Sequence, residues 1–112
     1  MALLRGHLYW VHLDKRRPAL VVSPNARNER ATDAIVVPCT TQLRPAPTHV
    51  HLRQGEGGAP EDSVLKCEQI TTLHQDDIDI ENGPLGGTLS RARLAAVERA
   101  VLRAIGVPVS GD

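Results

Sequence analysis

Eight polar side chains stand at the ends of apolar runs in this chain: Arg16, Arg17, Thr40, Thr41, Gln42, Ser63, Glu68 and Gln69. Each alone reads as a rim or ladder residue. As a set they offer a forked cation, hydroxyls and an amide, donors that suit a phosphodiester better than an acyl group. Other chemistries lack their residues. There is no Cys/His spacing of the zinc kind. His49 and His51 share a face of an extended run, but a third metal ligand would have to come from the Gly-rich stretch that follows. Paired exposed histidines are the favoured reading, and no metal is expected. No serine stands in a nucleophile elbow. Gly55, Gly57 and Gly58 precede no helix, so they read as a hairpin loop and not as a phosphate cradle; no cofactor is expected.

Such residues act only if rigid elements hold them. The organising stretch is residues 16–23, Arg-Arg-Pro-Ala-Leu-Val-Val-Ser. Ala19 to Val22 is apolar and partly β-branched, which suits a strand covered on both faces. Pro18 cannot donate to a ladder and is expected at that strand's start. Arg17 is then positioned by a sheet yet open to solvent. Residues 7–13 alternate in two sets, Leu8, Trp10 and His12 against Tyr9, Val11 and Leu13, as an earlier strand. Asp14-Lys15-Arg16 turns it into a hairpin with the organising strand. Ser23-Pro24 caps a short helix over residues 25–30.

A third strand spans residues 33–41, and Pro38 within it implies a bulge or an edge. Cys39-Thr40-Thr41-Gln42 places small polar groups at its end, and Arg44 lies in the next turn. Residues 48–52 alternate as a fourth strand, 54–62 form a loop, and 63–67 and 68–72 read as one or two strands. Residues 73–87 are turn-rich, with a short strand or helical turn near 77–80. Ser90 caps the long helix. Leu94, Val97, Val101 and Ile105 fall at helical spacing, and Gly106 and Pro108 stop it. The fold class is mostly β with a C-terminal α-helix: a small, curved, antiparallel barrel with the helix packed on it.

At 112 residues the chain reads as one domain, 1–112, with a modest core. Hydrophobic residues make up 41%, enough for a globular chain, and with no Phe the core must be filled by Val, Leu, Ile and Ala. Thirteen cations balance thirteen anions, so net charge provides no nucleic-acid footprint; any basic face must be gathered by the fold. No apolar run reaches membrane-spanning length and no secretion signal is evident, so the expected location is cytoplasmic. Cys39 and Cys67 read as two reduced, buried thiols.

Four blocks, in order and at compatible spacing, resemble the MazF/PemK toxin family. They are residues 5–11 (Arg-Gly-His-Leu-Tyr-Trp-Val), 17–22 (Arg-Pro-Ala-Leu-Val-Val), 36–42 (Val-Val-Pro-Cys-Thr-Thr-Gln) and 63–70 (Ser-Val-Leu-Lys-Cys-Glu-Gln-Ile). The helix at 90–106 matches as well, so the resemblance covers nearly the whole chain. It implies an SH3-like barrel of the type shared by MazF, CcdB and Kid, a homodimer, and an endoribonuclease acting on single-stranded RNA. It also implies a cognate antitoxin whose acidic, extended segment occupies the RNA groove. The family's catalytic arginine falls on Arg17 and its catalytic threonine on Thr40. Its channel-lining Glu-Gln pair falls on Glu68 and Gln69. Arg16, Thr41, Gln42, Arg44 and Ser63 are expected as further RNA-binding residues. One departure is the loop before Arg17, longer in many members and here only Asp14-Lys15-Arg16.

RNA carries its own nucleophile, the 2′-OH. An enzyme need only align it, stabilise the charge on the phosphorane and handle two protons. The expected products are a 2′,3′-cyclic phosphate and a 5′-OH, with no metal. Arg17 and His12 are alternative bases, with His12 expected to be merely a solvated strand-end residue. Two other classes stay open: a gyrase-poisoning toxin of CcdB type, and a catalytically silent SH3-like binding module.

Overall fold

A hairpin and a long third strand hold Arg17 and Thr40, the two residues expected to carry the chemistry. The computed structural model describes residues 3–110. In it β1 (Leu8–His12) pairs antiparallel with β2 (Arg16–Val21), in a register that sets Leu8 against Leu20, Trp10 against Pro18 and His12 against Arg16. The alternation divides two cores. Leu8 and Leu20 bury against Val37, Leu52, Leu65 and Val97 on one face. Tyr9, Val11, Ala19 and Val21 bury against Ala34, Val36 and Ile78 on the other. A strand covered on both faces has to read as an apolar run, and residues 19–21 do.

Pro18 does not open its strand as expected. β2 begins two residues earlier, so Arg16 and Arg17 belong to the ladder. The reason is direction. Val21 donates to His7, just before the first strand (3.0 Å), and Val22 donates to Ile35 on the other side (2.9 Å). Backbone groups alternate along a strand, so Pro18 faces the same side as Val22, and its missing donor does not interrupt the hairpin.

After α1 (Asn25–Arg30), β3 (Asp33–Thr40) forms the spine. One edge pairs with β2; the other pairs first with β6 (Thr71–His74), then with β5 (Ser63–Lys66), which in turn pairs with β4 (His49–Leu52). Pro38 makes neither a bulge nor an edge. It lies between Val36, the last partner of β6, and Cys39, the first partner of β5. Its missing N–H falls in the gap where β3 changes neighbours. The third strand therefore ends at Thr40, and Thr41 is outside it. Residues 68–72 are not a strand throughout: a 3-10 turn at Cys67–Gln69 precedes β6. Beyond β6, a 3-10 turn at Gln75–Asp77 leads back along the free side of β1. There Val11 bridges Ile78, and Asp79 donates to the Trp10 carbonyl. The ladders make a partly closed, barrel-like sheet of six strands among the described residues.

α2 (Arg91–Ala104) starts as its sequence predicts, with Ser90 Oγ accepting from the Arg93 N–H at 3.1 Å. It ends on Gly106, at φ 86°, with Val107 donating to Leu102. Val97 and Ala100 bury, and Leu94 and Val101 pack beside them. Ile105 departs from the expected stripe and is 66% exposed, because the helix has by then turned out of its last regular residue. Ser23 does not cap α1 either. Pro24 stands at the cap, and the buried Ser23 hydroxyl bonds Asn28 and the Ile35 N–H instead. Both cysteines are free and buried, and burial pushes each thiol up to about 12, so they stay protonated.

The start of α2 is tied to the 54–62 loop by Arg93. Its Nε and Nη2 meet both oxygens of Glu56, at 2.9 and 3.0 Å, and the Arg53 N–H adds a third bond to that carboxylate. The Arg93 side chain and then the Arg53 N–H hold the Glu56 carboxyl below the usual range. The folded protein thus binds this proton more weakly than the unfolded chain. The resulting stability is present above the unfolded carboxylate pKa, ~4.3, and is lost as pH falls through the lower folded value. Glu56→Gln is expected to melt below the parent at pH 7, with the difference shrinking at pH 3; thermal melts at the two pH values measure it.

Candidate active site

Arg17 is fixed from two sides. Its Nη1 donates to the Cys39 carbonyl of β3 at 3.2 Å, and its Nη2 meets Asp14 Oδ2 at 2.9 Å. The side chain is only 15% exposed, while that of Asp14 is 72% exposed. Arg17 Nε is buried and has no hydrogen-bond partner among the described residues. One side of the fork is therefore anchored to backbone. Nη2 carries only the exposed Asp14 carboxylate, and the unpartnered Nε beside it is shielded from solvent.

Thr40 stands opposite. The β2–β3 register pairs Leu20 with Val37 and Ala19 with Pro38. Continued, it sets Pro18 against Cys39 and Arg17 against Thr40. Pairs of this kind that do not exchange backbone bonds bring their side chains closest. Thr40 Oγ1 accepts from the Gln42 N–H at 3.2 Å, which leaves its own proton free to donate.

These two residues form the wall between two clefts. Arg17, Thr40, Thr41 and Lys15 line both. The first cleft adds Trp10, Arg16, Pro18, Pro60, Glu61 and the buried Ser63. Arg16 lies over the Trp10 ring, 4.5 Å from its centroid. The second adds Asp14, Gln42, Lys66, Gln69 and Thr71. Cations thus gather along one face of a chain with no net charge. Of the residues expected from sequence, Arg16, Thr41, Gln42, Ser63 and Gln69 join Arg17 and Thr40 here.

Glu68 and Arg44 do not line either cleft. Glu68 points the other way, to Thr48 Oγ1 (3.2 Å) and His49 Nε2 (3.1 Å). Burial pushes its carboxyl upward, but hydrogen bonds, His49's foremost, outweigh this and hold it below the usual range. The 3-10 turn explains the split. At about 120° per residue it sends neighbours in different directions, so Gln69 reaches the cleft and Glu68 does not. Arg44 belongs to a separate depression with Leu43, Pro45, His49 and His51, and its carbonyl takes the His49 Nδ1 contact at 2.7 Å. His12 is exposed and lines a third cleft with Asp76, Asp77 and Asp79. Among the described residues no group of three or more His, Cys, Asp or Glu is arranged to hold a metal, and no helix is long and apolar enough to cross a membrane.

Among the lining residues not expected from the sequence are Trp10, Asp14, Glu61, Lys66 and Thr71. For Trp10 and Asp14 the signal is the hairpin itself. Once Leu13-Asp14-Lys15 is taken as its turn, Trp10 pairs with Pro18 and Asp14 lies within reach of Arg17.

Residues 4–105 match the family described as PemK-like, MazF-like toxin of type II toxin-antitoxin system. The endoribonuclease MazF1 of Mycobacterium bovis is 32% identical over 108 residues, 96% of each chain. The endoribonuclease toxin MazF of Escherichia coli is 33% identical over 76 residues, 61% of this chain and 65% of that one. A solved mycobacterial endoribonuclease in complex with its cognate antitoxin is 32% identical. It superposes with a TM-score of 0.80 over 96% of this chain and 99% of that one. With sequence match, identity and fold in agreement over nearly its full length, the chain belongs to the PemK-like, MazF-like toxins of type II toxin–antitoxin systems.

Proposed function

We propose that this toxin is an endoribonuclease that cleaves single-stranded RNA, blocking translation by cutting mRNA. The observation that carries the reading is the pair Arg17 and Thr40, held across two strands in the wall between two cation-lined clefts. The scissile phosphate takes the place of Asp14 at Nη2 of Arg17 and also takes up the unpartnered Nε–H beside it. The 2′-OH attacks phosphorus and gives up its proton to solvent, the bond to the 5′-oxygen breaks, and that oxygen takes a proton from solvent, so that a 2′,3′-cyclic phosphate and a 5′-OH result. Arg17 meets the growing charge on the non-bridging oxygens, and the Thr40 hydroxyl adds a third donor. Because the nucleophile belongs to the substrate, the step needs no metal-activated water. Arg16, Thr41, Gln42, Ser63 and Gln69 hold the flanking nucleotides.

Labelled RNA incubated with the pure protein in EDTA tests this. Cleavage leaving a cyclic phosphate is expected; intact RNA overturns the reading and returns the gyrase-poisoning or silent-barrel alternatives. Thr40→Ala is expected to lower the rate by up to ~100-fold, and Thr40→Ser to recover part of it because the hydroxyl is kept.

The natural regulator is a cognate antitoxin whose acidic, extended segment lies in the same clefts, as the antitoxin-bound relative supports. The working form is a homodimer that sets two sites along one groove. Lys15→Glu should slow antitoxin association, most at low salt. A fully active monomer in light scattering would count against the dimer.

A further inference from the structure

The Arg17–Pro18 dipeptide contains a device that the nuclease reading does not use. Val22, just past the end of β2, donates to Ile35, and the register advances by two residues for each further bond in the same direction. Leu20 is thus bonded to Val37, and the next such pair is Pro18 with Cys39. Any other residue at position 18 would donate its N–H to the Cys39 carbonyl. Proline has no N–H to give. The carbonyl, on a residue that is 2% exposed, is taken instead by Arg17 Nη1 at 3.2 Å. A buried carbonyl seeks a donor, and the only one offered from β2 at this level is the guanidinium next door.

We infer that Pro18 is a positioning residue for Arg17. By withholding one ladder bond it leaves a backbone acceptor that pins one prong of the guanidinium and so fixes the direction of the other, Nη2, toward the cleft. The inference rests on Arg17 being the phosphate-binding group, but the anchor itself is a property of the free protein. An N–H at position 18 would extend the β2–β3 ladder by one bond and draw the strands together there. Arg17 Nη1 would lose its acceptor and the side chain its fixed direction.

Two variants isolate the donor from the ring. Pro18→Ala restores the N–H. L-lactic acid installed at position 18 by semisynthesis has alanine's side chain but an ester oxygen in place of the N–H. Thermal melts establish that each folds. NMR of the RNA-free protein reads hydrogen exchange at position 18 and the Arg17 guanidinium signals; kcat and KM for an RNA oligonucleotide read the consequence.

For Pro18→Ala the expected results are an exchange-protected N–H at position 18, altered Arg17 signals, an unchanged or higher melting temperature, and a kcat lower by roughly tenfold, the size of a modest misalignment of a catalytic group. The lactic acid variant should keep the parent's Arg17 signals and most of its kcat. Equal losses in both variants would overturn the inference by assigning the effect to the ring. So would an unprotected N–H at position 18 in the alanine variant, or an unchanged kcat with the carbonyl accepting both donors. If the parent protein leaves RNA intact, the nuclease reading fails, and the NMR comparison still decides whether Pro18 sets the arginine.

Discussion

Arg17→Ala is expected to slow RNA cleavage by ~100-fold or more, the effect of removing a preorganised donor worth on the order of 3 kcal/mol at a developing oxyanion. Lysine should not rescue it. Arg17→Lys keeps the charge, but one ammonium cannot bond the Cys39 carbonyl and still present two parallel N–H groups to a phosphate. The alanine variant also strands that buried carbonyl, at a cost of ~1–3 kcal/mol in stability. Its melting curve must therefore accompany its rate. The lysine variant, which retains a donor, separates the two effects. Asp14→Asn should go the other way. It removes a competing carboxylate from the same edge, and because that pair is largely exposed it should tighten RNA binding by no more than ~fivefold. His12→Ala should barely change the rate or its pH profile, since His12 lines a different cleft. Steady-state cleavage of one labelled oligonucleotide measures all four. Near-normal turnover by a folded Arg17→Ala protein would sink the assignment of the site.

The second large effect is on the fold. Gly58→Ala is expected to destabilise the protein by roughly 2–5 kcal/mol, from a left-handed backbone penalty of ~1–2 and an overpacking cost of ~1–3. Gly58 has φ 85°, and a Cβ there would lie 2.3 Å from the Leu85 carbonyl oxygen and 2.7 Å from the Gly86 nitrogen. Those are backbone atoms with little room to give. Leu85 donates to Leu8 and Leu89 to Gly6, so the segment is held against the first strand. Gly86 is crowded from the same side, its added Cβ 2.8 Å from the Gly58 nitrogen. A melting temperature lower by ~10–20 °C is the expected reading for a domain near this size. Gly83→Ala provides a control: its φ is also positive, but nothing lies within 4 Å, so only the backbone penalty applies. Because Pro60 and Glu61 on the same loop line the first cleft, Gly58→Ala should also weaken RNA binding.

Elements governed by local rules were legible in the chain. The period-two alternation within residues 7–13, the apolar run at 19–22, the Ser90 cap and the Gly106 stop each depend on neighbours a few residues away; the cap and the stop are found where their patterns place them, and the two strands run over 8–12 and through Val21. Arg17 and Thr40 were legible as polar residues at the ends of apolar runs. What the chain could not show was anything set by which strand lies beside which. Pro38 looked like an edge or a bulge because its sequence does not reveal that β3 changes partners there. Pro18 looked like a strand start because a missing N–H harms only one of two neighbours, and only the sheet order says which one has a ladder to lose. Glu68 and Gln69 look alike in sequence, and a 3-10 turn sends one to His49 and the other to the cleft. Arg44 was assigned to the groove by charge, and the turn that carries it folds toward β4 instead. Residue type and spacing are properties of one strand. Direction is a property of the pair, and the site exists because two strands far apart in sequence bring their ends to the same place.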